Sequence, residues 1–187
     1  MKDSVIENAM TQVRTGKLTR ANLAKMKENA LARLSDNPRI MELLELINQT
    51  AVPSLETEYV FMGYCPGADM DERRDIMWLK DGIIDFAFIE SKAQLAKFSA
   101  IHKGDKIILK KREEIGVSMI IHAYGEVTDS PVSDATGLTY HRVDWRIKDE
   151  PILVPLMGCN ATVNSKSIEQ VEEAMPQEFW DWLKQAA

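Results

Sequence analysis

Apolar side chains recur every three or four positions through the first fifty residues, which is the spacing of one helix face. Three amphipathic helices are predicted, with apolar faces made by Val5, Ala9, Met10 and Val13, by Leu23, Met26, Ala30 and Leu34, and by Ile40, Leu43, Leu44 and Ile47. The second is expected over residues 20–34, because Thr19 is a residue type that caps helix N-termini. The pattern therefore predicts a helical region over residues 1–52.

After a turn-rich segment at residues 50–54, short apolar runs replace the helical spacing. Strands are predicted at residues 59–64, 83–88, 106–110, 117–127 and 140–147, with a weaker candidate at 152–156. Pro155 would confine that last strand to an edge, because proline cannot donate to a ladder. Ser167 and Gln170 match a capping box and open a closing helical segment. Short strands at close intervals predict an α+β fold, with a small curled β-barrel and flanking helices over residues 56–187.

Composition indicates a folded globular chain without a membrane span. Hydrophobic residues make up 45% of the 187 residues, which argues against wholesale disorder. No apolar run approaches the about 18 residues of a transmembrane helix, and the first residues lack the apolar stretch of a secretory signal. Cys65 and Cys159 lie far apart among no other metal-ligand types, a usage that suits the reducing cytoplasm. A cytoplasmic location is expected.

Charge limits the kind of nucleic acid that the chain could bind. The net charge is −6, and it is unevenly distributed along the chain. Residues 1–55 contain eight basic and six acidic residues, and the remainder contains 15 basic and 23 acidic residues. Nonspecific clamping of a long duplex is disfavoured, because phosphates attract basic surfaces. A protein that reads one base in a pocket is still compatible with this charge, since stacking and hydrogen bonds to base edges do not need a basic molecule.

No known catalytic or metal-binding motif is present. The three histidines, His102, His122 and His141, have no zinc-ligand spacing, and the usual hydrolase and nucleotide signatures are missing. His122 lies in an apolar run, which favours a half-buried strand histidine. Cys159 has no neighbouring base that would activate its thiol. No cofactor and no metal site are predicted.

The predicted strand at residues 140–147 carries the first candidate ligand contact. Alternation puts His141, Val143 and Trp145 on one face and Arg142 and Asp144 on the other. One interpretation is a core tryptophan with a surface ion pair. The other is the rim of a pocket, in which Arg142 meets a phosphate or a base edge.

Two further groups of residues have chemistry suited to nucleic acids. Trp78 and Tyr64 lie near polar loops and could line a cleft that stacks a base, although a core role is the alternative for each. Lys110, Lys111 and Arg112 form a basic cluster at a strand end. The cluster is either a solvated loop, neutralised by the two glutamates that follow it, or a phosphate-contact patch.

The order of several segments resembles PUA-like domains, a group that includes the EVE, YTH and ASCH families. Residues 103–109 resemble the K-G-D-x-[IV]-[IV] turn and strand of these domains, and residues 123–128 resemble the following x-G-x-[IV]-T strand. Residues 140–145 are similar to the Y-x-R-V-x-W strand of EVE-like domains in modification-dependent restriction proteins, and residues 179–183 are similar to their ends. The resemblance covers residues 56–187.

This resemblance implies a pseudo-barrel with a cleft lined by aromatic residues. Family members bind RNA or modified bases in DNA, so a nucleic-acid-binding module that recognises a modified or flipped base is the favoured function. Carried over by position, Trp78 is a candidate pocket wall, and Tyr64 and Asp85 are candidates for the rim. The chain carries no nuclease motif, so a role in restriction would require a partner nuclease.

Two other functions are compatible with the sequence. Some ASCH-type relatives resemble small hydrolases, and such an enzyme acting on a nucleoside-like substrate would need an acid–base pair near the cleft. Lys80, Asp81 and Glu90 are the candidates for that pair. Alternatively, the apolar stripe of the second predicted helix could join a homo-oligomer or a protein partner, with packing inside the chain as the default.

Overall fold

The fold is described from a computed structural model, which covers residues 2–15, 18–49, 57–65, 73–87, 91–129, 131–133, 135 and 137–185. The helices are α1 (Asp3–Arg14), α2 (Arg20–Leu31), α3 (Arg39–Gln49), α4 (Arg74–Asp81), α5 (Lys92–Ser99), α6 (Ile168–Ala174) and α7 (Gln177–Gln185), with a 3-10 turn at Leu34–Asp36. The strands are β1 (Tyr59–Gly63), β2 (Ile83–Asp85), β3 (Lys106–Glu114), β4 (Ser118–Val127), β5 (Val132–Ser133), β6 (Thr139–Pro155) and β7 (Val163–Lys166). The predicted α+β class is confirmed.

The chain divides into two compact units. A helical unit comprises residues 1–56 and 90–100, and a sheet unit comprises residues 57–89 and 101–187. The helical unit therefore takes one of its helices, α5, from the middle of the chain.

In the helical unit, α1 and α2 both pack on α3, and α5 packs on α2. The apolar faces of the three predicted N-terminal helices meet in its core, which contains Ile6, Met10, Val13, Leu23, Ala30, Ile40, Leu43, Leu44 and Ile47. The Thr19 side chain accepts a hydrogen bond from the Asn22 backbone N at 3.2 Å, which confirms the predicted N-cap. The α2 helix ends at Leu31, three residues before the predicted end, and Leu34 is 42% exposed.

The sheet unit is built on one curled, mixed sheet with the strand order β2-β6-β4-β3-β1-β7, and β5 pairs with β6. The β1 and β3 strands are parallel, and the other described pairs are antiparallel. We call the side covered by α6 and α7 the helix face. Its core contains Tyr59, Phe61, Ile108, Met119, Ile121, Ile152, Val154, Leu156, Cys159, Val171, Met175, Phe179 and Trp182.

Several strands differ from their predicted form. The β2 strand ends at Asp85, β3 continues to Glu114, and β5 was not predicted. The candidate strands at 140–147 and 152–156 are joined in β6, a strand of 17 residues, and residues 148–151 lie between its two paired parts. The last part of β6 pairs only with β4 in the described structure, which makes it the edge that Pro155 requires. The β7 strand was not predicted, because its sequence Val-Asn-Ser-Lys has the composition of a loop. The capping box of Ser167 and Gln170 is confirmed at the start of α6.

Candidate functional site around Asp75 and His122

His122 occupies an irregular position in β4. Leu109 of β3 pairs with Ala123, but the next residue, Lys110, pairs with Ile121, so His122 is an extra residue in its strand. One extra residue makes a β-bulge, a feature that re-aims side chains and is over-represented beside active sites. The bulge therefore gives His122 a direction that regular alternation would not provide.

The bulge also changes the face that the odd-numbered β4 side chains join. Before it, Met119 and Ile121 pack in the core of the helix face. After it, the even-numbered Tyr124 packs against that core, so the odd-numbered Gly125 faces the other way. In an uninterrupted strand Met119, Ile121 and Gly125 would share one face, because side chains alternate with a period of two. His122 stands at the point where the faces exchange, and its imidazole contacts residues from outside the sheet.

A buried carboxylate organises these contacts. Asp75, in the first turn of α4, has a side chain that is only 1% exposed, and its Oδ2 lies 3.0 Å from Nε2 of His122, without the alignment of a full hydrogen bond. Arg73 donates from Nε to Oδ1 of Asp75 at 3.1 Å and from Nη2 to Oδ2. Two-pronged contacts between a guanidinium and a carboxylate are among the strongest charged hydrogen bonds. One buried carboxylate thus holds an arginine and a histidine together.

These contacts keep Asp75 ionised. Burial raises the pKa of Asp75, but the contacts from His122 and Arg73 and the positive charge of Arg73 outweigh burial and lower the pKa from 3.8 to about 2. Because the folded-state pKa lies below the unfolded one, the carboxylate stabilises the fold above about pH 4. That contribution is lost as the pH falls through the folded-state value.

We expect Asp75→Asn to lower the free energy of unfolding at neutral pH by about 2 kcal/mol, the equivalent of the pKa displacement. Wild type loses this contribution between about pH 4 and pH 2, and the variant has none to lose. Urea denaturation across this range measures both curves. Glu7→Gln is the control, because Glu7 pairs with Arg39 at 2.6 Å but has a side chain that is 52% exposed. Parallel curves for wild type and Asp75→Asn would remove Asp75 from the acid response.

Tyr64 completes the group beside Asp75. Its ring meets the His122 ring edge-on, with centroids 4.8 Å apart, and Cζ of Arg73 lies 5.5 Å from the Tyr64 centroid. Burial raises the pKa of Tyr64 to about 12, so the phenol keeps its proton at neutral pH. We call Tyr64, Arg73, Asp75 and His122 the Asp75 cluster. It combines a cation, an imidazole and an aromatic ring.

Cys65 and Lys111 lie beside this cluster. Burial, followed by the Asp75 charge, raises the pKa of the Cys65 thiol, and Lys111 and Arg73 only partly oppose this. The thiol is therefore protonated at neutral pH, and it is not an activated nucleophile.

The parallel β1–β3 ladder pairs Gly63 with Lys110. The half-buried Lys111 therefore follows one residue later, beside the segment that carries Tyr64 and Cys65. Its positive charge opposes the increase in the pKa of Cys65.

The structure places Trp78 in the core. Its side chain is 0% exposed, so it presents no open face to a base. Its backbone carbonyl accepts a hydrogen bond from Nε1 of Trp145 at 3.1 Å, which connects α4 to β6. Of the aromatic residues proposed from the sequence, Tyr64 is the one that joins a charged cluster.

The three residues of the predicted basic cluster do not form one patch. Lys110 is buried, and its Nζ donates to the backbone oxygens of Cys159 at 2.6 Å and of Ala161 at 2.8 Å, a structural role. Lys111 lies on the opposite side of β3 from Lys110 and approaches the Asp75 cluster. Arg112 is exposed and shares the side of Lys110, since neighbouring residues alternate.

The other two residues proposed from the sequence lie along β2 and β6. Asp85 is 1% exposed and accepts a hydrogen bond from the Ala87 backbone N at 3.1 Å. Arg142 is exposed, and its Cζ lies 6.0 Å from the centre of the Tyr140 ring. In the β2–β6 ladder Asp85 is directly opposite Tyr140, and Arg142 is opposite Ile83. These side-chain contacts of Asp85 and Arg142, with Ala87 just after β2 and with Tyr140 on β6, do not involve the Asp75 cluster.

The predicted alternation along residues 140–145 is confirmed. His141 and Val143 are buried and Trp145 is half-buried, whereas Arg142 and Asp144 are exposed. The surface ion pair joins Asp144 to Arg146, at 3.6 Å. Arg142 instead lies over the Tyr140 ring.

Two of the three acid–base candidates proposed for a hydrolase lie in the described part of the chain. Lys80 and Asp81 are exposed in the last turn of α4, and Glu90 lies outside the described residues. No group of three or more potential ligands is arranged to hold a metal ion in the described part of the chain. None of the described helices has the length and apolar character needed to cross a membrane.

Comparison of the chain with known proteins found no matching family model, no matching curated protein and no matching solved structure.

Proposed function

We propose that the sheet unit is a PUA-like nucleic-acid-binding module, and that its contact surface is the Asp75 cluster with Lys111. The observation that carries this proposal is the grouping of Arg73, Tyr64 and His122 around one buried carboxylate. Guanidinium planes stack on bases, and arginine and lysine bind phosphate. Tyr64 is only 5% exposed, so it supports the Arg73 guanidinium from behind and does not itself offer a free ring face. The side chain of Arg73 is 40% exposed, so its outer face is accessible to a ligand.

The ligand class follows from charge and size. The sheet unit carries an excess of acidic residues, because residues 57–89 and 101–187 contain 21 acidic and 13 basic residues. A long duplex needs many phosphate contacts, and this unit offers few cations near the cluster. A short single strand or one displaced base needs a stacking surface and one or two cations. A modified base is the favoured target, in line with the resemblance to EVE-like domains, and restriction would then depend on a partner nuclease.

We expect fluorescence anisotropy to detect binding of short single-stranded oligonucleotides at low ionic strength, with tighter binding when they contain a modified cytosine. Lys111→Gln should weaken binding by about three- to tenfold. It should also reduce the slope of the logarithm of the binding constant against the logarithm of salt concentration by about one, the value for one lost phosphate contact. Arg146→Gln is the matched control, because Arg146 is an exposed cation that pairs with Asp144 on β6. Absence of binding to every oligonucleotide, or equal losses in both variants, would contradict the proposal.

A second candidate function rests on the 3.0 Å contact between His122 and Asp75. A carboxylate that orients an imidazole is an arrangement used for general-base catalysis, so His122 could activate a water molecule. The same oligonucleotide titrations distinguish this function from binding. Conversion of the oligonucleotide by wild type, lost in His122→Gln, would favour the hydrolase.

A further inference from the structure

The helical unit contains a groove that the proposed function does not use. It has a volume of about 460 Å³ and runs between α1 and α2. Both helices pack on α3, which leaves a space between them over Leu43. Small-molecule sites are clefts of about 300–1,000 Å³, so the groove has the size of a ligand pocket.

The chemistry of the groove has two parts. Ala9, Leu18, Met26 and Leu43 supply apolar surface, and among these Leu43 is buried in the core. The α2 helix adds a polar row formed by Asn22, Lys25 and Asn29, and Arg33 follows two residues after the end of the helix. The described lining thus includes two cations and no carboxylate, although the whole chain is acidic.

We propose that this groove binds a small amphiphilic anion, such as a medium-chain carboxylate. Its apolar tail would lie over Met26 and Leu43, and its carboxylate would meet Lys25 and Arg33. Amide side chains of Asn22 and Asn29 could donate further hydrogen bonds to the carboxylate. The groove thus has an apolar floor and a cationic rim, and a molecule with an apolar tail and an anionic head is complementary to both.

The groove is too small for a protein partner. A helix with its side chains is about 10–12 Å across, and a stable protein interface uses about 20–30 residues on each side. Among the described residues, eleven line the groove. The size of the groove therefore favours a small molecule as its occupant.

Isothermal titration calorimetry of the full chain with decanoate, below its micelle-forming concentration, tests the proposal. We expect saturable binding at one site, with affinity that increases about fourfold for each added methylene across hexanoate, octanoate and decanoate. Decyltrimethylammonium, which has the same tail with the opposite charge, should bind at least about tenfold more weakly. No saturable decanoate binding, or equal affinity for the cation, would overturn the proposal.

The double variant Lys25→Gln with Arg33→Gln should weaken decanoate binding by about tenfold. Lys27→Gln is the matched control, because Lys27 is exposed on α2 and does not line the groove. Circular dichroism checks that each variant is folded. If the double variant unfolds, nuclear Overhauser effects in wild type decide: contacts from the decanoate tail to the Met26 and Leu43 methyls support the site, and their absence overturns it. Displacement of decanoate by an acidic helical peptide at equal affinity would also overturn the small-molecule assignment.

Discussion

Truncating Trp78 to alanine should lower the free energy of unfolding by about 4 kcal/mol, because it removes a large side chain that is 0% exposed. The surrounding core can relax only partly, so a cavity remains. The same cavity would loosen α4, whose Trp78 carbonyl accepts the Trp145 indole hydrogen bond. Urea denaturation at neutral pH measures the loss.

Trp180→Ala is the control for this truncation. Trp180 is half-buried and meets Tyr59 edge-on, with centroids 6.2 Å apart, so its removal should cost clearly less than that of Trp78. A Trp78→Ala variant of wild-type stability that has lost only oligonucleotide binding would instead show that Trp78 is a ligand-facing wall, as the resemblance implies.

Gly125→Ala should destabilise the sheet unit by about 3 kcal/mol. A Cβ at this position would stand 2.7 Å from Cε3 of Trp145 and 2.9 Å from the backbone oxygen of Asp144, and it would also collide with Val143. The backbone oxygen is fixed by the β4–β6 ladder, so it cannot move away at low cost. Thermal and urea unfolding of the variant test this expectation.

The matched substitution is Gly63→Ala, also in a strand. Its added Cβ would lie 3.5 Å from Cα of Thr162, an ordinary contact, so we expect a change of less than about 1 kcal/mol. Equal effects at Gly63 and Gly125 would mean that close packing of Trp145 on β4 does not limit stability.

Local signals predicted much of the fold. The caps at Thr19 and Ser167 depend on residues within one helical turn, and the alternation around Val143 depends only on the strand period, so short windows of sequence contain the information. The continuity of β6 could not be found in this way. Residues 148–151 include charged residues and a proline, which are typical of a turn, and only the pairing of β4 on both sides of them makes one strand.

The Asp75 cluster was missed for a different reason. Asp75 and His122 are 47 positions apart, and the contact depends on a bulge that does not disturb the alternating burial along β4. A histidine in a strand of apolar residues was correctly predicted to be half-buried, but its carboxylate partner leaves no local signal. The basic run at Lys110 suggested a surface patch that the structure does not have. Local sequence does not distinguish an exposed lysine from a buried lysine that donates to backbone carbonyls, as Lys110 does.

The position of α5 has a consequence for synthesis on the ribosome. This helix packs on α2 but follows β2 in the chain, so the helical unit is interrupted by the first part of the sheet unit. Translation proceeds at about 5–20 residues per second, so α5 is synthesised several seconds after the N-terminal helices. During that delay the α2 surface that α5 will cover is open to chaperones, and an expressed fragment that stops before residue 90 would keep this surface permanently bare.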